Sequence, residues 1–282
     1  MVLGEMLLFD TLLVEFIGLA IICSCFLHCL QGLGVMISGW LTNRTHTHNK
    51  PHAWWLHQVL CLLHHVVVGF VATYALLFDP FCYRVLSGVM SGSHQGAKDL
   101  NFGRSAYCVA LLPLTLGYMI FDLIELIRCG QVNMLIGVHH VTALLLWPIL
   151  LHYGTGEMWI LYFLSTELTG PFNVIRKMLS EINVKESKVY LINGILFTVL
   201  FVAWRMVPIP WLCNALIQAH PFNPSYVPES YSITQLFWAR VAAVFSVVPL
   251  LFNMYWGLLV VRGATRIFLN KPPANGKQSK QD

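Results

Sequence analysis

Residues 135–151 read LIGVHHVTALLLWPILL, and the only ionisable side chains among them belong to the adjacent His139 and His140. Across the 282 residues, 57% are hydrophobic and 11% are charged, whereas soluble domains carry roughly 25% charged residues. Because a lipid-exposed backbone must satisfy its own hydrogen bonds, apolar runs of about 20 residues cross a bilayer as helices. The composition therefore predicts an all-α, polytopic membrane helix bundle and excludes a soluble domain.

Apolar stretches of this kind recur along the chain, and we predict about seven transmembrane helices, with the N-terminus outside and the C-terminus cytoplasmic. In this orientation most of the 17 basic residues lie in cytoplasmic loops, as the positive-inside rule requires. The segment 210–232 carries four prolines, which predicts an irregular loop. The predicted helices cover about residues 11–40, 54–78, 105–127, 134–153, 158–179, 190–209 and 233–261.

Several ionisable side chains fall inside these apolar stretches. Each costs free energy at membrane depth unless it is paired or hydrated, so each is a functional hypothesis. So many polar groups cannot all face lipid, and they therefore predict an interior cavity or cleft. They are Glu15, His64, His65, Asp122, Glu125, His139, His140, Glu167, Arg205 and Arg240.

Two pairs among these residues have an informative spacing. Asp122 and Glu125 share one helix face and cannot both be ionised cheaply, so we expect one of them to pair with an arginine or a histidine. His139 and His140 are about 100° apart around a helix, so only one can point at the centre of a cavity. This geometry favours one imidazole for proton or acyl transfer and the other for positioning.

The twelve histidines raise the alternative of a metal or haem site. The histidine boxes of di-iron hydroxylases are missing, and nothing further supports a haem between His65 and His139 or His140, so we predict no metal site. For His64 and His65, an interhelical hydrogen bond is the plain structural alternative. The remaining histidines around residue 50, which include His57, are interpreted as part of a solvated interfacial segment.

Further motifs follow one another in a fixed order between about residues 54 and 263. Together they resemble the TLC domain family, which includes translocating-chain-associated membrane proteins and ceramide synthases. The order and residues of these motifs are more similar to a branch of the family outside the ceramide synthases. The motifs are His65 followed by VVVGF; Gly117, Tyr118, Asp122 and Leu123; His139 and His140; Glu167, Leu168, Pro171, Phe172 and Arg176; Ile192, Asn193, Gly194 and Arg205; and Asn253, Trp256 and Gly263.

The resemblance has a consequence for catalysis. Ceramide synthases move a fatty acyl group from acyl-CoA to a sphingoid amine, and their paired histidines are followed one helix later by two acidic residues three apart. Here Glu167 occupies the first acidic position and Gly170 the second. Half of the acidic pair is therefore missing, although the histidine pair is present.

The resemblance implies a multi-pass membrane protein that binds or handles lipid and contributes to membrane lipid homeostasis. The alternative is a lipid acyltransferase of the ceramide-synthase type that uses His139 and His140, and a trafficking or translocon-associated role is a further reading. We expect a first transmembrane helix and cytoplasmic loop over residues 1–50, the TLC domain bundle over 51–265, and a disordered cytoplasmic tail over 266–282.

The expected site follows from the first two of these interpretations. A membrane lipid or fatty acyl chain is the expected partner, acyl-CoA is the substrate of the alternative, and neither a cofactor nor nucleic acid is expected. The resemblance favours the endoplasmic reticulum, with the plasma membrane as the second choice. The candidate catalytic residues are His139, His140, Glu167 and Asp122, and the candidate lipid-binding residues are His65, Arg176, Arg205, Asn193 and Phe172.

Overall fold

The computed structural model describes residues 2–41 and 50–269, with side chains described for 13–38 and 50–266. Within these residues the chain is helical and contains no strand, which confirms the all-α prediction. The expected tail beyond residue 269 and the loop residues 42–49 lie outside the described residues. The helices are α1 (Val2–Leu41), α2 (His52–Phe78), α3 (Pro80–Met90), α4 (His94–Phe102), α5 (Ala106–Arg128), α6 (Met134–His152), α7 (Glu157–Ser165), α8 (Gly170–Glu181), α9 (Lys188–Phe201), α10 (Ile209–Gln218), α11 (Ile233–Phe245) and α12 (Val247–Leu269).

Polar residues start several of these helices. The side chain of Asp79 accepts hydrogen bonds from the backbone N–H groups of Phe81 and Cys82 at the start of α3. Asn133 caps α6 in the same way, and Ser232 forms a capping box with Gln235 at the start of α11. Because the first N–H groups of a helix have no partner within it, such caps determine where each helix begins.

Six helical segments of the described chain are long and apolar enough to cross a membrane. The fifth predicted stretch is not among them, although it is helical from Glu157 to Glu181, where a 3-10 turn (Thr166–Thr169) joins α7 to α8. The count of seven and the orientation of the termini stay predictions. The six segments are Leu13–Ser38, His52–Phe78, Ala106–Arg128, Met134–His152, Lys188–Gln218 and Ile233–Arg266.

Helix α7 lies at the centre of the bundle. All nine of its residues are buried, whereas α1 exposes large apolar side chains such as Val14 and Met36. A central helix has little contact with lipid, so it can carry polar residues at lower cost.

Small residues let α2 and α5 approach their neighbours closely. A Cβ atom at Gly69 on α2 would overlap the backbone of Leu168 in the 3-10 turn, and one at Gly117 on α5 would overlap the carbonyl oxygen of Ala20 on α1. Such close packing is typical of helix interfaces in membranes.

The prediction of an irregular loop over 210–232 is wrong for its first part. Helix α10 (Ile209–Gln218) follows α9 through a π-helical turn (Val202–Met206). Pro210 lies in the first turn of α10, where its missing N–H has no intrahelical partner to lose. The proline therefore starts a helix at this position, and the irregular chain begins only after Gln218.

Candidate functional site

The two histidines of α6 point in different directions, as their spacing predicts. His140 is buried, and its Nε2 lies 2.9 Å from Oδ2 of Asp122 on α5. Its Nδ1 lies 3.0 Å from the carbonyl oxygen of Ile136 and donates to it. His139 instead faces a cavity between α6, α7, α11 and α12, where its ring meets the Trp256 ring edge-on at 5.9 Å between centroids.

Asp122 is shared by two histidines from two helices. Its Oδ1 lies 2.8 Å from Nε2 of His57 on α2, while Oδ2 meets His140. The interpretation of His57 as part of a solvated interfacial segment is therefore wrong, because this side chain is buried. The contact also involves Cys61, whose Sγ lies 3.6 Å from Asp122 Oδ1.

The expectation that Asp122 or Glu125 pairs with an arginine or a histidine is confirmed for both residues. Glu125 accepts a hydrogen bond from Nη1 of Arg128 at 2.6 Å and another from Nε2 of Gln31 at 3.1 Å. The shared face of α5 therefore carries two carboxylates with separate partners, Asp122 with histidines and Glu125 with Arg128 and Gln31.

Glu167 forms the second polar contact between helices. It lies in the 3-10 turn between α7 and α8, where its Oε2 is 2.5 Å from Nδ1 of His65 on α2. The interhelical hydrogen bond expected for His64 or His65 is thus present at His65. His64 stacks on the Tyr118 ring at 3.7 Å between centroids.

Arg205 lies in the π-helical turn and holds three segments together. Its Nη2 donates to the carbonyl oxygen of Thr166 at 2.6 Å, and its Nε donates to Oγ1 of Thr169 at 2.9 Å. Its Nη1 donates to Oδ1 of Asn253 on α12 at 3.2 Å. A guanidinium carries five N–H donors in a fixed plane, so it can bond several acceptors at once.

The cavity brings together only part of the predicted catalytic set. Its walls include His139, Glu167 and Arg205, whereas Asp122 and His140 lie outside it. Its volume of about 60 Å³ is enough for a few water molecules and too small for an acyl chain. The cavity is therefore a small polar chamber inside the bundle.

A larger space lies between α8, α9 and α12. This groove has a volume of about 430 Å³ and is lined mainly by apolar side chains, together with Arg176 and Asn173. The guanidinium of Arg176 lies 4.2 Å from the centre of the Tyr190 ring. Asn193 and Phe172 do not line it; instead Nδ2 of Asn193 donates to the carbonyl oxygen of Phe172 at 2.8 Å.

Sequence reasoning missed the participation of His57 and Cys61. The sequence contains a signal for both residues. Intervals of four and three residues separate His57, Cys61 and His64, so the three side chains share one face of α2. The run of polar residues just before α2 concealed this pattern.

The model of the TLC domain family matches residues 54–262 of the chain. The chain belongs to the TLC domain family. It is 25% identical over 236 residues to TLC domain-containing protein 4 of Homo sapiens, which covers 81% of this chain and 80% of the relative. It is 32% identical over 114 residues to an uncharacterized TLC domain-containing protein of Schizosaccharomyces pombe, which covers 38% of this chain and 37% of that protein. No solved structure matches significantly.

The TLC domain match includes every predicted site residue, from His65 to Arg205. The missing second acid of this TLC domain has a steric cause in the structure, because a Cβ atom at Gly170 would overlap the ring of His65. A larger side chain there would displace the imidazole that pairs with Glu167. Gly170 therefore helps to keep His65 in place in this TLC domain.

Proposed function

We propose that this chain is a multi-pass membrane protein of the endoplasmic reticulum that binds an anionic membrane lipid and contributes to lipid homeostasis. The observation that carries the proposal is the groove between α8, α9 and α12. Its volume of about 430 Å³ falls within the roughly 300–1,000 Å³ typical of ligand pockets. Membership of a family whose members are often lipid-related supports the same conclusion.

The positive charge of Arg176, which lines the groove, supports an anionic head group. Arg176 forms no ion pair with any acidic side chain of the described residues, so its N–H donors are available to a ligand. Its guanidinium lies against the Tyr190 ring, and Gly194 leaves room for it, since a Cβ atom there would lie 2.6 Å from Arg176 Nη1. An arginine fixed in this way suits bidentate binding of a phosphate group.

The apolar part of the groove supports an acyl chain. The lining residues on α9 extend from Leu191 to Val199, and most of them are apolar. They cover about 12 Å of the helix at 1.5 Å per residue. This length is close to half of the roughly 30 Å hydrocarbon core, which is the depth of one leaflet.

Lipid mass spectrometry of the purified full chain tests the head-group contact. We expect the wild-type protein to retain an anionic phospholipid, and Arg176→Gln to retain about 10-fold less, because a charge-assisted hydrogen bond contributes about 1.5–3 kcal/mol. Lys177→Gln is the matched control, since it removes a neighbouring, exposed positive charge. Equal retention by Arg176→Gln and wild type would contradict the proposed head-group site.

A second variant tests the acyl-chain contact. Gly263 lines the groove, and a Cβ atom there would meet nothing within 4 Å. We therefore expect Gly263→Leu to fill the groove and lower lipid retention while Arg176 stays in place. If added phosphatidic acid binds Gly263→Leu and wild type equally in native mass spectra, the groove does not hold the chain.

Acyl transfer is a second candidate function, and the position of His139 favours it. Within the described residues no hydrogen bond holds this imidazole, and it shares the chamber with Glu167 and Arg205. This reaction requires the chamber to widen beyond its volume of about 60 Å³ so that the thioester can reach His139. A ring nitrogen of His139 would then attack the thioester carbonyl of acyl-CoA, the C–S bond would break with release of the CoA thiolate, and the acyl-imidazole would pass its acyl group to an alcohol or amine. His140, held by Asp122, would be a positioning residue.

Intact mass after incubation with palmitoyl-CoA tests this candidate. The expected result is an acyl adduct and CoA release in wild type and in Val141→Ala, an exposed control on the same helix, with loss of both in His139→Ala. The absence of adduct and CoA release in wild type would contradict acyl transfer, and the lipid-binding proposal would be unaffected.

Cellular lipid profiles test the proposed role in lipid homeostasis. Equal profiles for wild type, His139→Ala and Arg176→Gln would contradict that role.

A further inference from the structure

A compact cluster of possible metal ligands joins α2 to α5 outside the chamber and the groove. It consists of His57 Nε2, Cys61 Sγ and one carboxylate oxygen of Asp122, all within 4.8 Å of one another. The sulfur lies 3.5 Å from His57 Nε2 and 3.6 Å from Asp122 Oδ1. All three side chains are buried, and neither proposed function uses them as ligands.

We propose that His57, Cys61 and Asp122 bind one Zn²⁺ ion between α2 and α5. Imidazole, thiolate and carboxylate are the ligand types that zinc takes in proteins. In a tetrahedral site with Zn–S of about 2.3 Å and Zn–N of about 2.0–2.1 Å, the sulfur lies about 3.5 Å from each of the other ligand atoms. The two measured sulfur distances agree with this value.

One distance must increase when the ion enters. His57 Nε2 and Asp122 Oδ1 are 2.8 Å apart, whereas two such ligands of a tetrahedral zinc ion are about 3.3 Å apart. The two atoms belong to different helices, so a small shift of their side chains provides the difference. His57 and Cys61 are four residues apart on α2 and therefore project from the same face.

Further side chains form hydrogen bonds with two of the three ligands. Gln58 Nε2 lies 3.2 Å from Nδ1 of His57, and His140 Nε2 lies 2.9 Å from Oδ2 of Asp122. His140 is fixed in turn by the carbonyl oxygen of Ile136. Zinc ligands are characteristically oriented by such outer hydrogen bonds, and loss of one typically lowers metal affinity about 10–100-fold.

Zinc binding releases one proton from the cluster and moves another within the ring of His57. The Cys61 thiol loses its proton to solvent and binds as the thiolate, so one proton is released per ion. The proton on His57 Nε2 moves to Nδ1, and the Nδ1–H group donates a hydrogen bond to the side-chain oxygen of Gln58 after that amide turns over. Asp122 keeps its negative charge and its hydrogen bond from His140. Three protein ligands leave the fourth position of the ion for water or another oxygen ligand.

Zinc content of the purified full chain tests the proposal. We expect about one Zn²⁺ per chain in wild type after removal of free metal, and loss of bound zinc in Cys61→Ser. Cys82→Ser is the matched control, since Cys82 is also buried but lies on α3, away from the cluster. We expect His140→Ala to bind zinc about 10–100-fold more weakly than wild type.

Cobalt provides a spectroscopic readout of the thiolate. Co²⁺-loaded wild type and Cys82→Ser should show thiolate-to-cobalt charge-transfer absorption in the near ultraviolet, and Cys61→Ser should lack it. Should Cys61→Ser fail to fold, zinc X-ray absorption of the wild type should show one sulfur at about 2.3 Å. Wild type without stoichiometric zinc, or a zinc spectrum without a sulfur neighbour, would overturn the proposal. Neither measurement depends on lipid, so the result is separate from the tests of Arg176 and Gly263.

Discussion

Gly170 occupies the second acidic position of the predicted catalytic site and has no side chain there. The sequence resemblance predicts that ceramide synthases carry an acid at the corresponding position, whereas here a Cβ atom at Gly170 would overlap the ring of His65. The absence of a side chain at Gly170 allows the Nδ1 atom of His65 to reach Glu167 Oε2 at 2.5 Å. A side chain at this position would therefore displace His65 from its present contact with Glu167.

Replacement of Gly170 by alanine should destabilise the protein by about 1–3 kcal/mol, the cost of inserting an atom into a packed interior. The expected readout is a lower melting temperature in detergent for Gly170→Ala. Gly137→Ala is the matched control, because a Cβ atom at Gly137 on α6 meets nothing within 4 Å. That control should be neutral or slightly stabilising, since alanine favours a helix over glycine. A Gly170→Ala protein as stable as the control would contradict the packing argument.

Individual site residues were predictable where helix geometry alone decides their direction. The different orientations of His139 and His140 follow from the angle of about 100° between consecutive residues of a helix. The burial of His57 did not follow, because it depends on how far α2 extends toward its N-terminus and on Asp122 being opposite. Only the pairing of α2 with α5 in three dimensions supplies that partner.

The start of α7 illustrates how helices are tied together by one buried acid. Glu157 is fully buried; its Oε1 accepts a hydrogen bond from Nε of Arg104 at 3.0 Å, and its Oε2 accepts one from the backbone N–H of Ser105 at 2.7 Å. Ser105 is the N-terminal cap of α5. The first turn of the central helix is therefore bonded to the first residues of α5.

We expect Glu157→Gln to destabilise the protein by about 1–3 kcal/mol, because the amide offers one acceptor where the carboxylate offers two and leaves a buried donor without its partner. The measurement is the melting temperature of the purified variant. Glu186→Gln, which removes the same charge from an exposed position, should leave it unchanged. Equal melting temperatures for the two variants would show that the contact does not stabilise α7.

The elements themselves were predictable to different degrees. The long apolar stretches were predictable as helices, because the run of apolar residues is enough to indicate them, as at α2 and α6. Pro210 was misread, since a proline both interrupts and begins helices, and only its place in the first turn of α10 distinguishes the two. The 3-10 turn that contains Glu167 ends at Thr169, and Pro171 lies in the first turn of α8 in the same manner.

Across the whole molecule, the path from Glu157 to Glu181 decides how often the chain crosses the bilayer. Its helices and 3-10 turn contain 9, 12 and 4 residues, a helical path of about 37 Å, which exceeds the roughly 30 Å hydrocarbon core. Two of its charged residues, Glu157 and Glu167, contact protein side chains, whereas Arg176 and Lys177 lie in the second half of α8, nearer one end of the path. A seventh crossing is therefore consistent with its length and burial.

Labelling from one side of the membrane tests this crossing. In a chain whose exposed cysteines are replaced by alanine, three variants carry one reporter each: the native Cys129, Lys185→Cys or Ser225→Cys, all at exposed positions. Seven crossings place residues 129 and 185 on one side and residue 225 on the other, so a membrane-impermeant maleimide should label 129 and 185 under the same permeabilisation condition. If the path from Glu157 to Glu181 instead returns to its starting side, residue 185 moves to the side opposite 129 and residue 225 joins 129. The pairing of the labels therefore distinguishes six crossings from seven without knowledge of the organelle, and a pairing of 129 with 225 would contradict the predicted topology.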